Sequence, residues 1–313
     1  MTTRPPTLSV QMVTFADHPQ PSWTALFDHA RAADQAGVDR LIVSDHVAFG
    51  PDLSAYSDPR AGGTEGGRQP TGPDGHWLEP LTTLSFIAAR TASIRLQTGI
   101  LLAALRRPVV LAKTAATLDV LSGGRLDLGV GVGWQRAEYE AAGLGFEGRG
   151  RLLDHTLEVC EELWSHRPAS YRSAELEFQD IHAMPQPTQP GGLPVWVSGR
   201  INQAVLRRLA RFGHGWIPWG DDARDPAIAI PRIEQACAAI GRTTPVEIQG
   251  TLPIARDAGG EIELEATMAG VPALVDAGIT DFKAFLRLSG SLDEAVATLE
   301  PLVDAFRATV GRK

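Results

Sequence analysis

The sequence predicts a single closed (β/α)8 TIM barrel, and three observations predict it. Eight short apolar runs are each followed by a stretch with helical spacing. Strands that alternate with helices require a parallel sheet, because each helix carries the chain back to the end of the sheet where the previous strand began. Eight such units in 313 residues match the size of one α/β barrel. An open doubly wound sheet is the competing arrangement. The expected domain is residues 1–313, with insertion loops at about 47–78 and 167–192 on the C-terminal face.

Taken in order, residues 7–15 (TLSVQMVTF) form the first strand. Helix 22–36 follows, with Ser22 as its cap, an apolar face of Trp23, Leu26, Phe27 and Ala30, and Gly37 as its stop. Strand 39–44 closes on Asp45 and His46. Residues 47–78 lose the rhythm and are rich in Gly, Pro and Asp; a stretch this long inside a compact domain is usually a functional lid or disordered. Pro80 opens the next helix, where a missing N–H costs nothing. Strand 94–102, helix 108–121, strand 125–132 and helical stretches 134–142 and 151–165 follow. Residues 167–192 break the rhythm again, as a short hairpin with Pro185, Pro187 and Pro190 leading out. Strands at 193–198, 215–218, 246–254 and 281–287 then alternate with helices at 201–212, 226–240, 266–277 and 292–308. The last helix opens with a capping box, Ser291 and Glu294, and should bend at Pro301.

Composition narrows the function classes. Hydrophobic residues make up 43% of the chain and charged residues 21%, an ordinary globular balance. The net charge is −8 with no basic stripe, which argues against a nucleic-acid surface and leaves a small molecule as the expected partner. No apolar run is long enough to span a membrane. Cys160 and Cys237 sit in apolar helical patterns without a CxxC pair, and the first ten residues have no apolar core, so a cytoplasmic location is expected. No convergent His and Asp set occurs, so no metal is expected, and no GxSxG elbow supports a serine hydrolase.

Barrel enzymes work at the carboxyl ends of their strands. Here those ends are Ser44–Asp45–His46, Thr98–Gly99–Ile100, Gly131–Val132–Gly133–Trp134 and Val197–Ser198–Gly199–Arg200. In SGGRLDLGVGVGW (122–134), Gly129, Gly131 and Gly133 share one strand face. A bare face admits either a flat cofactor ring or a closely packed neighbouring strand. Ser198–Gly199–Arg200 precedes a helix start, so it is either a phosphate cradle or a plain strand-to-helix turn. His46 is an acid/base candidate or a hydrogen-bonded structural residue. Glu138, one turn past Trp134, is a candidate acid; Glu140 reads as solvated. GVGVGW lacks the sixth glycine of the dinucleotide fingerprint, which sets a Rossmann site aside. In the long insertion, Tyr56, Arg60, Arg68, His76 and Trp77 either line the pocket or cover the barrel.

These segments together resemble the luciferase-like monooxygenase superfamily, and within it the actinobacterial oxidoreductases that use the deazaflavin coenzyme F420. The matching pieces are SDHV (44–47), PTGPDGHWLEPLTTL (70–84), TGILL (98–102), residues 106–143 and PVWVSG (194–199). The resemblance implies a flavin or deazaflavin at the barrel mouth, with His46 beside its ring; Glu138, from its place one turn past the glycine strand, stays the second catalytic candidate. Asp45, Thr98, Gly99, Ile100 and the segment Gly131, Val132, Gly133 and Trp134 would contact it, and Val197, Ser198, Gly199 and Arg200 would hold its phosphate. The resemblance also implies a bulge, often a cis peptide, at Gly99–Ile100, and a homodimer. Sugar-phosphate dehydrogenases of the branch carry Glu where this chain has Trp134 and Trp where it has Gly50, so their substrate arrangement does not transfer. The expected activity is hydride transfer between F420 and a small organic substrate. An FMN-dependent monooxygenase using dioxygen, or a non-catalytic flavin-binding barrel, are the alternatives.

Overall fold

In the computed structural model, residues 5–288 and 290–312 are described; the outermost residues of the expected domain, 1–4 and 313, lie outside them. Eight parallel strands close into a barrel: β1 (Thr7–Gln11), β2 (Arg40–Val43), β3 (Arg95–Thr98), β4 (Leu126–Val130), β5 (Val195–Gly199), β6 (Gly213–Pro218), β7 (Glu247–Thr251) and β8 (Asp281–Phe285). Each pairs with its neighbours in the chain, and β8 closes on β1 with Thr7 opposite Asp281 and Gln11 opposite Phe285. The open-sheet alternative is thereby excluded.

Helices cover the outside because the outward strand residues are apolar. Leu8, Val10, Leu126, Leu128 and Val130 are buried in the layer between barrel and helices. Helix α1 (Thr24–Ala36) buries Leu26, Ala30 and Ala33 and ends at Gly37, whose φ of 80° is a left-handed cap. It packs beside the last helix, residues 292–309, which closes the helical ring. That helix starts with the expected capping box, and it continues as helix through Pro301.

The inward residues are unusually polar at the barrel floor. Arg40 donates to Asp127 at 2.9 Å and to Asp281 at 2.6 Å, and its guanidinium lies 4.6 Å over the Trp196 ring. Asp127 also accepts two bonds from Arg95, and Asp281 accepts from Thr7, Ser9 and Gln249. These charges are dry but every one is paired, which is the condition for tolerating them inside a fold.

Several expected elements are shorter. The first expected strand splits, because Phe15–Ala16 leaves the barrel and pairs antiparallel with His76–Trp77 of the long insertion. The third ends at Thr98, where the backbone bulges. Helix 226–240 opens with a tight 3-10 turn at 226–229, and 266–277 divides into Leu264–Met268 and Val271–Asp276 around Gly270 and Pro272. Ser22 is not the cap: Trp23 holds that place without a side-chain bond, while Ser22 Oγ accepts from the Thr24 N–H. Residues 167–192 do contain a hairpin, Ala169–Arg172 against Glu177–Ile181.

Candidate active site

The carboxyl ends of the strands open into a cavity of about 950 Å3. That is ample for a cofactor and a small substrate. The wall on the β3–β4 side is largely main chain. After Thr98 the Gly99–Ile100 peptide is cis, as the resemblance implies, and Leu101 rejoins the ladder beside Val130. Gly99, Ile100, Gly131, Val132, Gly133 and Trp134 all border the cavity.

The glycines divide between the two readings. A Cβ on Gly129 would lie 1.9 Å from the Thr98 carbonyl, so close strand packing accounts for that one. A Cβ on Gly131 would press on Ile100 at 2.9 Å, and one on Gly133 on Leu102 at 2.6 Å. Those two keep the bulge seated while exposing backbone to the cavity.

His46 leaves the end of β2 and enters the cavity, edge-on to Trp77 at 4.9 Å and to Trp134 at 5.8 Å. Its Nδ1 lies 3.3 Å from Glu138. Glu138 is fully buried and also accepts from the Val47 N–H at 2.6 Å and the Ala48 N–H at 3.3 Å. A carboxylate only accepts, so Nδ1 carries the proton and Nε2 is the nitrogen left for the cavity. Glu138 itself does not border the cavity. The expectation that it reacts is corrected: it orients His46 and the loop behind it.

Asp45 borders the cavity but is committed elsewhere. It takes two bonds from Arg106, at 2.6 and 3.1 Å, and one from the Leu102 N–H at 2.8 Å, tying β2 to the segment after β3. Thr98 and Val197 do not reach the cavity. Thr98 Oγ1 donates to the Gly129 carbonyl at 2.7 Å, and Val197 is buried in the ladder between β4 and β6.

At the end of β5, Ser198, Gly199 and Arg200 border the cavity. Gly199 has φ 146°, which a side chain rarely adopts, and a Cβ there would meet Val205 at 3.1 Å. The helix behind it, Gln203–Phe212, starts less bare than expected. Asn202 caps the Ala204 and Val205 N–H groups, and the Ile201 N–H donates to Asp222 at 2.5 Å. An anion here meets the Ser198 hydroxyl and the Arg200 guanidinium rather than a row of free amides.

The insertion folds over the mouth. Trp219 Nε1 donates to the Gly62 carbonyl at 2.9 Å, Arg149 reaches the Ala61 carbonyl at 3.4 Å and Arg200 the Pro59 carbonyl at 3.5 Å. Tyr56 stands edge-on to Trp134 and Trp219. Of the loop candidates, Tyr56, Arg60 and Trp77 border the cavity; Arg68 and His76 do not. Gly50 has no room for the tryptophan of the sugar-phosphate enzymes, since even a Cβ would sit 2.5 Å from Ala137.

Sequence reasoning passed over Arg149, Trp219, Lys283 and Arg287, which also border the cavity. Arg149, Arg200, Lys283 and Arg287 make the mouth cationic in a chain whose net charge is −8. Two carboxylates meet these cations among the described residues: Asp45, already paired with Arg106, and Asp221, 3.4 Å from Arg200. No cluster of three or more His, Cys, Asp or Glu side chains able to hold a metal occurs among the described residues, and no described helix is long and apolar enough to cross a membrane.

A closed parallel barrel with a backbone-walled cavity at the carboxyl ends of its strands defines the class: a (β/α)8 barrel of the enzyme type. The chain belongs to the luciferase-like monooxygenase family, which matches residues 8–300. It is 30% identical over 256 residues to an uncharacterised protein of Mycobacterium tuberculosis, covering 80% of this chain and 81% of that protein. It is 29% identical over 224 residues to the F420-dependent glucose-6-phosphate dehydrogenase of Kineococcus radiotolerans, covering 70% of this chain and 59% of that protein. The crystal structure of monooxygenase RslO1 from Streptomyces bottropensis shares the fold with a TM-score of 0.73 at 18% identity, covering 96% of this chain and 99% of that one.

Proposed function

We propose that the protein moves a hydride between deazaflavin F420 and a small organic substrate. The observation that carries this is one juxtaposition. His46, fixed through Nδ1 by Glu138, enters a cavity whose facing wall is the cis Gly99–Ile100 bulge and the Gly131–Gly133 backbone. A flat ring can lie on such a wall, and the residues fit the group. Bound there, the deazaflavin supplies the two-electron hydride chemistry that no side chain can. His46 Nε2 holds or accepts the proton that must accompany a hydride. Ser198 and Arg200 would hold the phosphate, while Tyr56 of the insertion and Trp219, which bonds the insertion at Gly62, would keep water out.

F420 is favoured over FMN by the charge of the mouth. Arg200 is shared with Asp221 and Arg60 with Asp58, whereas Arg149 has no carboxylate within ion-pair distance among the described residues, so the mouth offers charge beyond what Ser198 and Arg200 give one terminal phosphate. F420 carries a phosphodiester and a glutamate tail. The F420-dependent relative from Kineococcus supports the same choice, whereas the structural likeness to RslO1 keeps a monooxygenase in view. The substrate is a small molecule, the assembly that the family resemblance implies is a homodimer, and two buried thiols without a disulfide suit the cytoplasm.

Titration with F420 and with FMN, followed by quenching of the cavity tryptophans, tests the reading. Saturable F420 binding with weak FMN binding is expected. Tight FMN binding without F420 binding would overturn it and favour oxygen chemistry.

A further inference from the structure

On β8 the inward positions are Asp281, Lys283 and Phe285 in turn. Asp281 already accepts four bonds, from Thr7, Ser9 and Arg40 on one oxygen and from Gln249 on the other. Lys283 stands one step nearer the mouth and borders the cavity. Its ammonium makes no hydrogen bond or ion pair among the described residues; it lies 4.9 Å over the Phe285 ring. Burial pushes its amine down from 10.5 to about 8, against the pull of Asp281. Arg287, at the rim, is likewise unpaired among the described residues. An ammonium taken from water without an acceptor is costly, and the cost is removed when a ligand brings an anionic oxygen.

The anion in question is not the cofactor phosphate. Under the function proposed above, that group has Ser198 and Arg200 at the end of β5, and β6 and β7 separate β5 from β8 around the barrel. Lys283 is a point charge with three rotatable donors, which binds a carboxylate or a phosphate oxygen alike; the apolar side chains beside it favour the smaller, singly charged carboxylate. The adjoining wall is flat and apolar: Phe15 stacks on Trp77 at 4.2 Å, and Met12 and Phe285 complete it.

We infer that Lys283 anchors the carboxylate of the substrate: the molecule oxidised or reduced here is a flat, mostly apolar acid lying along Phe15, Trp77 and Phe285. The reaction ascribed to that molecule rests on the hydride-transfer reading above; the binding does not.

Cinnamate and its neutral partner cinnamamide are suitable probes, with tryptophan fluorescence as the readout, since Trp77, Trp134 and Trp219 border the cavity. Wild-type protein should bind cinnamate saturably. Lys283→Met should weaken cinnamate about tenfold or more, as loss of a charge-assisted bond does, and leave cinnamamide unchanged. Lys283→Arg should keep most of the cinnamate affinity. F420 affinity should be the same in all three proteins. Equal binding of cinnamate and cinnamamide, no saturable cinnamate binding, or an unaffected Met variant would each overturn the inference. So would a loss of F420 affinity in the Met variant, which would make Lys283 a cofactor contact. If wild-type protein fails to bind F420 while cinnamate still depends on Lys283, the hydride-transfer reading falls and the carboxylate subsite stands.

Discussion

Replacing Lys283 by Met should make the protein more stable at neutral pH, with a difference that disappears in alkali. Folded, the amine titrates near 8 because burial disfavours its charge; unfolded, it returns to 10.5. Between those values the unfolded chain holds a proton that the folded chain has shed, so wild-type stability rises with pH across that window. Below about pH 8 both states are protonated and the penalty is present in full. The difference between 10.5 and about 8, at about 1.4 kcal/mol per pH unit, is about 3.5 kcal/mol. Lys283 is only half-buried, and the solvent that still reaches it lowers the figure to about 1.5–3 kcal/mol. At about 2 °C per kcal/mol for a chain of this size, Met should melt about 3–6 °C higher at pH 7. Melting curves of both proteins from pH 7 to 10.5 read the effect, and the gap should close above pH 10. The charged groups around Lys283 are Asp281 below it, the Arg40 paired with that carboxylate, Glu247 on β7 beside Arg40, and Arg287 above. All are shared by both variants, so their titration cancels in the difference. A Met variant less stable than wild type at pH 7, or a gap independent of pH, would show that the ammonium has a partner in solution and refute the reasoning.

Four further outcomes follow from the site. Glu138→Ala strands two backbone N–H groups and His46 Nδ1 inside the protein, so it should cost about 3–5 kcal/mol and lower the melting temperature by about 6–10 °C; Glu138→Gln should recover much of that while turnover stays depressed. His46→Ala should slow the hydride step about 10²–10⁴-fold in stopped-flow traces and spare F420 affinity. Arg40→Met leaves Asp281 buried with neutral donors only and should cost about 3–5 kcal/mol by chemical denaturation. Gly199→Ala forces a side chain onto φ 146°, at a cost of about 1–3 kcal/mol, and should weaken F420 binding in the same titration.

The barrel is legible because its evidence is periodic and local. Eight apolar runs separated by helical spacing leave few topologies, and the structure has that one. Strand ends are less legible, because apolarity outlasts the ladder. Residues 94–102 read as one strand, yet the chain leaves its partner after Thr98 to make the Gly99–Ile100 bulge. Site positions at strand ends could be found by counting, which is how His46, Gly99, Gly131 and Ser198 were reached. Their jobs could not. Glu138 reads as an acid one turn beyond Trp134, but its task exists only because the fold brings it to residues 46–48, some ninety positions earlier. Thr98 and Val197 stand at the right height on their strands and face the wrong way or spend their hydroxyl on a neighbour.

Lys283 is the instructive omission. DFKAF reads as an apolar strand with charges at its margin, but strand alternation puts Asp281, Lys283 and Phe285 on one face. In a barrel whose outward face must be apolar to meet the helices, a strand that carries charges on one face only must turn them inward. The floor then pairs its charges in Arg40, Asp127 and Asp281, and whatever charge is left over one step higher has no protein partner. An unpaired inward charge near the carboxyl end of a barrel strand is therefore a ligand signal that spacing alone contains, once the face it occupies is asked for.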